Sequence, residues 1–516
     1  MNLSDMHNPN PGADIASLEE LLGPSAYNLT PATLANKVSR GEWLPAKHLM
    51  YISGIIAHEL SKGNARLIIS MAPRHGKSEL ISKWTSLWFL NNFPMHEIIL
   101  CSYGAELATA FGGQVRDLID IDHGPEGANL LNCHLNKKYT RVAGFKTTEG
   151  GGMRSAGVGG TVYGLGADLL LIDDYFKNPE EAESQSARDK LWDWFSTVAM
   201  SRMHEDASCI IIATRWNDDD LSGRLLKLTG ERWKEISLAV RIDDEEMAKA
   251  DPLGREVGEV LWPELRNHDY VKEREEIMSS YFFAAVMQQK PKKPGSGRFQ
   301  RDWVNVIEQH EVPHYQHLKH VRSWDLAGTE DGGDHTAGLL MAKDVRNNRV
   351  YLLDMQRFQK SPGKVKRHVK DTAELDTVSA RILIEQEPGS AGKAVVEDYI
   401  SYLPEYSVHG IKPTGSKLVR ADPFFAAAEH GRVFMLRAPW NDDFLDECVE
   451  MSDDALEDDQ VDAASQGFND LFQVKAKAGV FGRGGKPAND TKGDEVSDNG
   501  ITQSGAVVSG VTWGRK

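Results

Sequence analysis

The sequence predicts an α/β protein with two sheets formed one after the other along the chain, and three observations support this. From about residue 45 to residue 240, short apolar runs alternate with amphipathic helical patterns. A segment rich in Pro, Gly and Lys at 290–297 ends this alternation. A second series of apolar runs follows it, and a length of 516 residues is more than one hydrophobic core usually serves.

The first half is predicted to hold a mostly parallel sheet. Its strands are expected at Arg66–Met71, Glu97–Ser102, Asp168–Asp173, Ala207–Thr214 and Glu235–Val240. Its helices are expected at Lys77–Asn92, Ala105–Ile119, Glu180–Met203 and Asp218–Thr229. Because helices connect successive strands in this pattern, we predict an α/β domain over residues 41–240, preceded by an N-terminal segment at 1–40.

The second half repeats the pattern after the linker. Its strands are expected at His320–Leu326, Ala337–Lys343, Val350–Asp354, Ala380–Glu385 and Val433–Leu436. The predicted order is strand, strand, strand, helix, strand, helix, which indicates a second α/β domain at 298–474. A helical connector and linker at 241–297 would join the two domains, and residues 475–516 are predicted to be disordered from their polar, Gly-rich composition.

The overall composition restricts the class of function. The net charge of −17 argues against a protein that coats DNA passively, although it is compatible with an enzyme that has a local basic channel. The four cysteines form no C-x-x-C pair, so neither a zinc site nor a disulfide framework is expected. The chain shows no signal segment and no apolar run long enough to span a bilayer, so we expect a soluble, intracellular protein without membrane contact.

A phosphate-binding loop is predicted at residues 71–78, which read M-A-P-R-H-G-K-S between an apolar strand and an amphipathic helix. Gly76 would let the backbone approach the phosphates, and the helix N-terminus would supply N–H donors. Lys77 would reach the β- and γ-phosphates, and Ser78 would offer its hydroxyl to Mg²⁺. Met71 replaces the first glycine of the usual pattern, and an ordinary strand–helix turn can also contain G-K-S.

Two further strands complete the predicted nucleotide site. The apolar run at 167–174 ends on Asp173, expected in the Mg²⁺ shell, and on Asp174, expected to polarise the attacking water. The run at 208–214 ends on Thr214, which would sense the γ-phosphate. Together these motifs predict that ATP contacts Arg74, His75, Gly76, Lys77, Ser78, Asp173 and Thr214. Each apolar run alone is also compatible with an ordinary core strand.

An arginine is expected opposite the charge that develops on the transferred phosphoryl group. Arg74 lies inside the loop and is the first candidate, while Arg154, Arg202 and Arg215 are weaker ones. The residues from Trp43 to His48 are candidates for holding the adenine, although Trp43 is equally compatible with a packing role.

A metal-dependent nuclease site is predicted in the second half. Asp325 and Glu385 each end an apolar strand, and Asp459 and Asp462 are three residues apart, so they share one face of a helix. Carboxylates brought together would repel each other unless a cation held them, and Mg²⁺ or Mn²⁺ prefers such oxygen ligands. Two ions about 4 Å apart are the arrangement of RNase H-like nucleases. Taken singly, Asp325 could cap a turn, Glu385 could form a salt bridge and Asp462 could lie on a solvated helix.

At this point the sequence resembles the large terminase subunits of tailed bacteriophages, over residues 40–473. The resemblance rests on the segments at 73–79 (PRHGKSE), 172–184 (IDDYFKNPEEAES), 192–195 (WDWF), 213–216 (ATRW), 288–291 (QQKP), 323–327 (SWDLA) and 458–462 (DDQVD). It implies a P-loop NTPase domain of RecA-like type followed by an RNase H-like α/β nuclease domain. Lys77, Ser78, Asp173 and Asp174 match the family's ATP site, although Asp174 replaces its usual glutamate. Asp325, Glu385 and Asp462 match its nuclease acids, and Asp459 is a candidate fourth acid.

The resemblance also implies an activity and its partners. ATP hydrolysis would drive double-stranded viral DNA into the procapsid, and an endonuclease would cut the concatemeric genome. The implied cofactors are ATP with Mg²⁺ at the first site and Mg²⁺ or Mn²⁺, as two ions, at the second. The implied partners are double-stranded DNA, a small terminase subunit, the portal protein of the procapsid and further copies of this chain in a ring. The expected location is the cytoplasm of the infected host, with transient attachment to the procapsid.

Two other classes of protein share some of these features. A P-loop helicase or translocase could carry a non-catalytic DNA-binding second domain, and metal dependence at Asp325, Glu385 and Asp462 would separate it from a nuclease. A capsid-associated scaffold with a degenerate nucleotide site would not turn over ATP. The acidic net charge further predicts that the isolated chain binds DNA weakly and in a salt-sensitive manner.

Overall fold

Two sheets, one from each half of the sequence, organise the computed structural model of the chain. It describes residues 26–44, 46–160, 166–229, 232–292, 298–327, 334–376, 379–387, 389–413, 415–451 and 458–472, which belong to one compact unit. The predicted tail at 475–516 and most of the segment 1–40 lie outside the described residues. In the described part of the chain, no helix has the length and apolar character that a membrane span requires.

The first sheet has eight strands in the order β3-β4-β5-β2-β6-β7-β1-β8. They are β1 Arg66–Met71, β2 Glu97–Ser102, β3 Leu135–Arg141, β4 Gly144–Thr147, β5 Gly152–Gly157, β6 Ala167–Asp173, β7 Met203–Ala213 and β8 Lys234–Leu238. The pairs β3–β4 and β4–β5 are antiparallel, and all other neighbours are parallel. The five predicted strands are confirmed, whereas β3, β4 and β5 were not predicted because their sequence is polar and basic.

Helices cover both faces of this sheet and continue into the connector. The longer ones are Pro31–Val38, Lys47–Lys62, Glu79–Thr85, Ser86–Asn92, Ala105–Asp122, Pro179–Glu183, Gln185–Trp194, Phe195–Ala199, Leu221–Thr229, Glu245–Ala250, His268–Ile277 and Phe283–Met287, with short turns at Ala26–Asn28, Met200–Arg202 and Ser280–Phe282. The single helix predicted at Glu180–Met203 is wrong in two respects. Ser184 adopts an extended conformation and caps a new helix, so the helix is broken there. Met203 already belongs to β7.

The second sheet has seven strands in the order β14-β13-β10-β11-β12-β15-β9. They are β9 Asn305–Ile307, β10 Leu318–Asp325, β11 Thr336–Asp344, β12 Arg349–Phe358, β13 Arg381–Glu385, β14 Val408–Ile411 and β15 Val433–Leu436. Strands β10, β11 and β12 are antiparallel, and the remaining neighbours pair in parallel. The predicted order of strands and helices is confirmed, and β9 and β14 are additional edge strands.

Five helices accompany the second sheet: Pro362–Asp376, Ser390–Tyr402, Lys417–Glu429, Asn441–Glu450 and Asp459–Leu471, with short turns at Arg301–Trp303, Gln309–Glu311 and Tyr315–His317. The last helix packs against β10 through small residues. A Cβ added at Gly467 would lie 3.3 Å from the Cβ of Ser323, so glycine allows a close approach there. This contact brings the acidic start of the helix to the end of β10.

A buried polar cluster joins the two halves. Glu183 accepts hydrogen bonds from Arg298 (2.7 Å), Asn217 (3.1 Å) and the hydroxyl of Tyr281 (3.3 Å). The Glu183 side chain is 2% exposed and that of Arg298 is 8% exposed. The guanidinium of Arg298 also lies over the Tyr281 ring, 4.1 Å from its centroid. A residue that follows β6 is thereby tied to the first residues of the second half.

Candidate functional site

The first candidate site lies where β1, β6 and β7, which are neighbours in the sheet, reach their carboxyl ends. The chain leaves β1 through a tight loop in which Arg74 and Gly76 have positive φ angles of 66° and 84°. A Cβ on Gly76 would lie 2.9 Å from Leu49 Cδ1, so both the backbone conformation and the packing require glycine. The loop then opens the helix that carries Lys77 and Ser78.

Lys77 connects the three strand ends. Its ammonium group donates hydrogen bonds to Asp174 Oδ1 at 2.9 Å and to the hydroxyl of Thr214. The backbone N–H of Thr214 donates to the same Asp174 oxygen at 3.1 Å. Asp174 itself has a φ of 45°, so the chain turns sharply at the end of β6. The loop, the acidic pair of Asp173 and Asp174, and the end of β7 therefore meet around the buried ammonium group of Lys77.

Asp173 is held by hydroxyl groups. Ser78 donates to Asp173 Oδ1 at 2.9 Å, and Ser82 donates to Oδ2 at 2.6 Å. Burial, together with the negative charge of Asp174, raises the pKa of Asp173 to about 7. The serine pair and the two acids are the oxygen donors that Mg²⁺ prefers, so the residue set fits the predicted ATP-bound ion.

The loop rests on an aromatic cluster. The His75 side chain is fully buried and does not face the nucleotide side, so only its backbone is available to a phosphate. The His48 ring lies 5.3 Å from the ring of Trp262, and His48 Nε2 bonds the His75 carbonyl at 2.9 Å. Burial lowers the pKa of His75 to about 4 and that of His48 to about 3. Trp43, a candidate for the adenine, packs against Trp84 with ring centroids 6.1 Å apart.

The four arginine candidates occupy different places. Arg74 is exposed on the loop itself. Arg215 is buried and its Nε donates to Asp220 Oδ2 at 2.8 Å. Arg202 precedes β7, at the opposite end from the nucleotide site, roughly 30 Å away along the strand. Arg154 lies in the middle of β5, which one strand, β2, separates from β6.

The second candidate site lies at the carboxyl ends of the parallel neighbours β10 and β13. Asp325 ends β10, Glu385 ends β13, and Asp459 and Asp462 occupy the first turn of the last helix. Burial raises the pKa of Asp325 well above its usual range, and the charges of Asp462, Glu385 and Asp459 add to this effect. The four predicted acids are thus close enough to repel one another.

Two cations from the helix Lys417–Glu429 lie against these acids. Lys417 donates to both oxygens of Asp458 at 2.6 Å and lies 3.4 Å from Asp462 Oδ2. Arg420 donates to Asp462 Oδ1 at 2.8 Å. Burial alone would lower the pKa of Lys417, but its bonds to Asp458 and the charge of Asp462 outweigh burial and raise it.

The chemistry of this donor set fits Mg²⁺ or Mn²⁺, because the four predicted acids and Asp458 make five carboxylates, and among the described residues Lys417 and Arg420 are the lysine and arginine paired with them. As the side chains stand, no three His, Cys, Asp or Glu residues in the described part of the chain enclose a metal position. Asp458 and Asp462 are instead paired with Lys417 and Arg420.

Sequence reasoning missed Ser82, Lys417 and Arg420. Ser82 lies one helical turn after Ser78, so its spacing alone could have placed it beside Asp173. Lys417 and Arg420 are also one turn apart, but they come some 40 residues before the acids that they contact, and nothing in their local sequence marks them.

Comparisons with known proteins identify the family of the chain. Residues 68–275 match a family described as terminase large subunit, T4likevirus-type, N-terminal, and residues 322–471 match one described as terminase RNaseH-like domain. No curated protein matches the chain.

Among solved structures, the large terminase of a thermophilic bacteriophage in complex with ADP is 12% identical with a TM-score of 0.45, covering 80% of this chain and 95% of that chain. The nuclease domain of the g2p large terminase from bacteriophage SPP1 with bound Mn is 16% identical with a TM-score of 0.25. The match covers 33% of this chain and 94% of that chain. The human cytomegalovirus terminase nuclease domain, Mn soaked and inhibitor bound, is 9% identical with a TM-score of 0.27. The match covers 35% of this chain and 96% of that chain. The two family matches, which together span more than half of the chain, carry the assignment.

Proposed function

The chain belongs to the large terminase subunit family and combines its ATPase and RNase H-like nuclease halves, and we propose from this how its own residues serve viral DNA packaging. ATP hydrolysis at the first site drives double-stranded DNA into the procapsid, and the second site cuts the concatemeric genome. The observation that carries the first half of this proposal is the convergence of Lys77, Asp174 and Thr214 on one another.

In the ATPase half, Lys77 binds the β- and γ-phosphates, and Ser78 with Asp173 holds the Mg²⁺ that neutralises phosphate charge when bound. Asp174 orients the attacking water, and its hydrogen bond from the Thr214 backbone keeps it at the end of β6. The exposed Arg74 is the candidate that stabilises the transferred phosphoryl group within the same chain. Gly76 and the backbone of His75 contribute loop N–H donors to the phosphates.

In the nuclease half, Asp325, Glu385 and Asp462 hold the divalent cations, with Asp459 as a fourth acid. When bound, such ions activate water and stabilise the leaving oxygen of a phosphodiester. The chain's own contribution is the fixed placement of the acids, because β10, β13 and the last helix are packed elements rather than loops.

The partners and location of this activity follow from the family role. We propose that the chain acts on double-stranded DNA as a ring of identical subunits docked on the portal protein. A small terminase subunit would select the genome. The activity would take place in the cytoplasm of the infected host, with the chain attached to the procapsid during packaging.

Paired substitutions in the full-length chain test this proposal. We expect Lys77→Ala to lower ATP hydrolysis by at least 100-fold, because its side chain connects the loop to both Asp174 and Thr214. Asp325→Asn should abolish plasmid cleavage in Mg²⁺ or Mn²⁺ and leave ATP hydrolysis unchanged. The matched controls are Lys83→Ala, a lysine of the same helix region that pairs with Glu79, and Asp398→Asn, an exposed carboxylate of the second half.

The outcomes separate the two halves. ATP turnover without any cleavage by the wild-type chain, alone and with procapsids, would contradict the nuclease half and favour the helicase or translocase alternative. Cleavage without ATP turnover would contradict the motor. Equal effects of the control substitutions would show that the losses come from folding.

A further inference from the structure

The edge of the first sheet that is most distant from β8 carries a concentration of positive charge. Residues 135–147, which form β3, β4 and the turn between them, contain Lys137, Lys138, Arg141 and Lys146 and no acidic residue. The whole chain has a net charge of −17. A basic segment in such a chain is therefore a local departure from its composition.

These cations surround a concavity. A cavity of about 430 Å³ is lined by Lys138, Tyr139, Arg141, Phe145, Lys146 and Arg154, together with Gly144. We call this surface the basic groove. No carboxylate of the described residues lines it, and its four cations come from three neighbouring strands. The phenol ring of Tyr139 is 61% exposed at its rim.

The groove keeps its charge largely uncompensated. Lys146 pairs with Glu97, but in the described part of the chain Lys138, Arg141 and Arg154 have no carboxylate within ion-pair distance. Burial and the neighbouring charge of Arg154 lower the pKa of Lys146. Like charges held around one concavity repel each other, so an anion that entered the groove would relieve this repulsion.

Lysine on an edge strand also prevents unwanted strand pairing, and that role accounts for Lys137, which projects beside Asp120. It does not account for Arg154, which comes from the interior of the paired strand β5 and joins Lys138 and Arg141 around the same concavity. Edge protection needs single charges spaced along β3, whereas a cluster drawn from three strands suits a multivalent anion.

We propose that the basic groove binds the phosphodiester backbone of double-stranded DNA. This inference rests on the proposed packaging function, because a motor that moves DNA of any sequence needs phosphate contacts rather than base contacts. Lysine and arginine provide such contacts without reading sequence. The net acidic charge of the chain opposes non-specific DNA binding elsewhere, in line with the weak, salt-sensitive binding predicted above.

The groove is also mechanically connected to the nucleotide site. Strand β5 pairs with β2, and β2 pairs with β6, whose last residue is Asp173. The helix Ala105–Asp122 provides a second connection, because Arg116 on it donates to the Thr140 carbonyl of β3 at 3.1 Å. Near the start of this helix, the N–H of Tyr103 donates to the Asp174 carbonyl at 3.0 Å. Hydrogen-bonded elements therefore join Asp173 and Asp174 to the groove.

The test compares charge reversals in the full-length chain. Lys138→Glu combined with Arg141→Glu is compared with Lys249→Glu combined with Lys272→Glu, which makes the same change in net charge on exposed positions of the connector region. The probe is a fluorescent 30-base-pair DNA duplex, and its anisotropy gives the affinity over a range of salt concentrations. ATP hydrolysis without DNA and the melting temperature are measured for each protein.

We expect Lys138→Glu with Arg141→Glu to weaken duplex binding at least 10-fold. The slope of log affinity against log salt concentration should become shallower by about 1.8, which is about 0.9 for each of two lost phosphate contacts. The control reversal should change the slope little, and basal ATP hydrolysis should stay the same in both. If Lys138→Glu with Arg141→Glu lowers the melting temperature, Lys138→Gln with Arg141→Gln is used in its place. A smaller loss of affinity for the duplex is then expected.

Three results would overturn the proposal. These are an equal loss in the groove and control variants, no duplex binding by the wild-type chain even at low salt, or an altered oligomeric state with unchanged DNA affinity. The last would identify the groove as a contact for an acidic protein surface. Failure of the packaging function would appear separately, as a wild-type chain without ATP turnover.

Discussion

Both sheets end in converging acids, but the two sites neutralise these acids differently. At the first site, Lys77 and the serine hydroxyls that hold Asp173 come from the loop and helix that directly follow β1. At the second site, Lys417 and Arg420 come from a separate helix. The first site is therefore supported within one local motif, whereas the second depends on tertiary packing. Substitutions should therefore affect the two sites in different ways.

The largest expected effect is at the second site. Arg420→Ala leaves the buried Asp462 without its closest cation, so we expect the free energy of unfolding to fall by about 2–3 kcal/mol without divalent cations. Millimolar Mg²⁺ or Mn²⁺ should restore part of this loss, because a cation replaces the missing guanidinium. Chemical denaturation with and without the ion measures both effects. Arg437→Ala, which removes an exposed ion pair with Glu308, is the control. An equal response to metal in both variants would contradict the proposed metal site.

A second effect concerns acid sensitivity at the first site. His48 and His75 have pKa values of about 3 and 4 in the folded chain, below the ordinary value of 6.5, so they stay neutral when folded and gain protons on unfolding. Their contribution to the free energy of unfolding is fully present above pH 6.5 and is lost as the pH falls toward 4. At pH 5 the loss is about 2 kcal/mol for each imidazole.

Glutamine at position 48 retains a side-chain N–H donor for the His75 carbonyl but does not titrate. When the pH falls from 7.5 to 5, we therefore expect the free energy of unfolding to decrease by about 2 kcal/mol less in His48→Gln than in the wild-type chain. Denaturant titrations at the two pH values check this difference, and other acid-sensitive groups cancel in the comparison. Parallel losses in both proteins would show that His48 is protonated in the folded state.

The smallest expected effect is that of removing the Ser82 hydroxyl, compared with removing the nearby hydroxyl of Ser86. Ser82→Ala removes one donor from the buried Asp173, so we expect about 1 kcal/mol of destabilisation and a several-fold higher Mg²⁺ requirement for ATP hydrolysis. Ser86→Ala is the matched control, because Ser86 is buried at the start of the next helix, Ser86–Asn92, but donates to the Ser82 carbonyl and not to the acid. A Mg²⁺ requirement that rises equally in both variants would contradict a role for Ser82 at the ion.

The same contrast explains what could be predicted from the sequence. Strands β1 and β2 were predicted with correct bounds because they are continuous apolar runs, as buried parallel strands are. The loop residues and the acids at the strand ends were also identified, since local motifs carry them. Their assignment as functional residues remains a prediction for the experiments above.

Other features could not be predicted, for physical reasons. Strand β3 is the edge strand and is largely polar, while β4 and β5 are short and rich in small or polar residues, so the three carry little apolar alternation. The break at Ser184 depends on a side chain that caps a helix start, and the pattern of apolar residues continues across it. The cations of the second site contact acids some 40 residues away, and such pairs become visible only after folding.

The cluster around Glu183 has a consequence for the exchange of parts between related motors. A chimaera that combines the first half of this chain with the second half of a relative would bring a foreign residue to the place of Arg298. Glu183 would then lose its buried ion pair with Arg298, and the loss of one member of a buried pair costs several kcal/mol. The two halves are therefore expected to be inherited together, or exchanged only when both members of this pair are preserved.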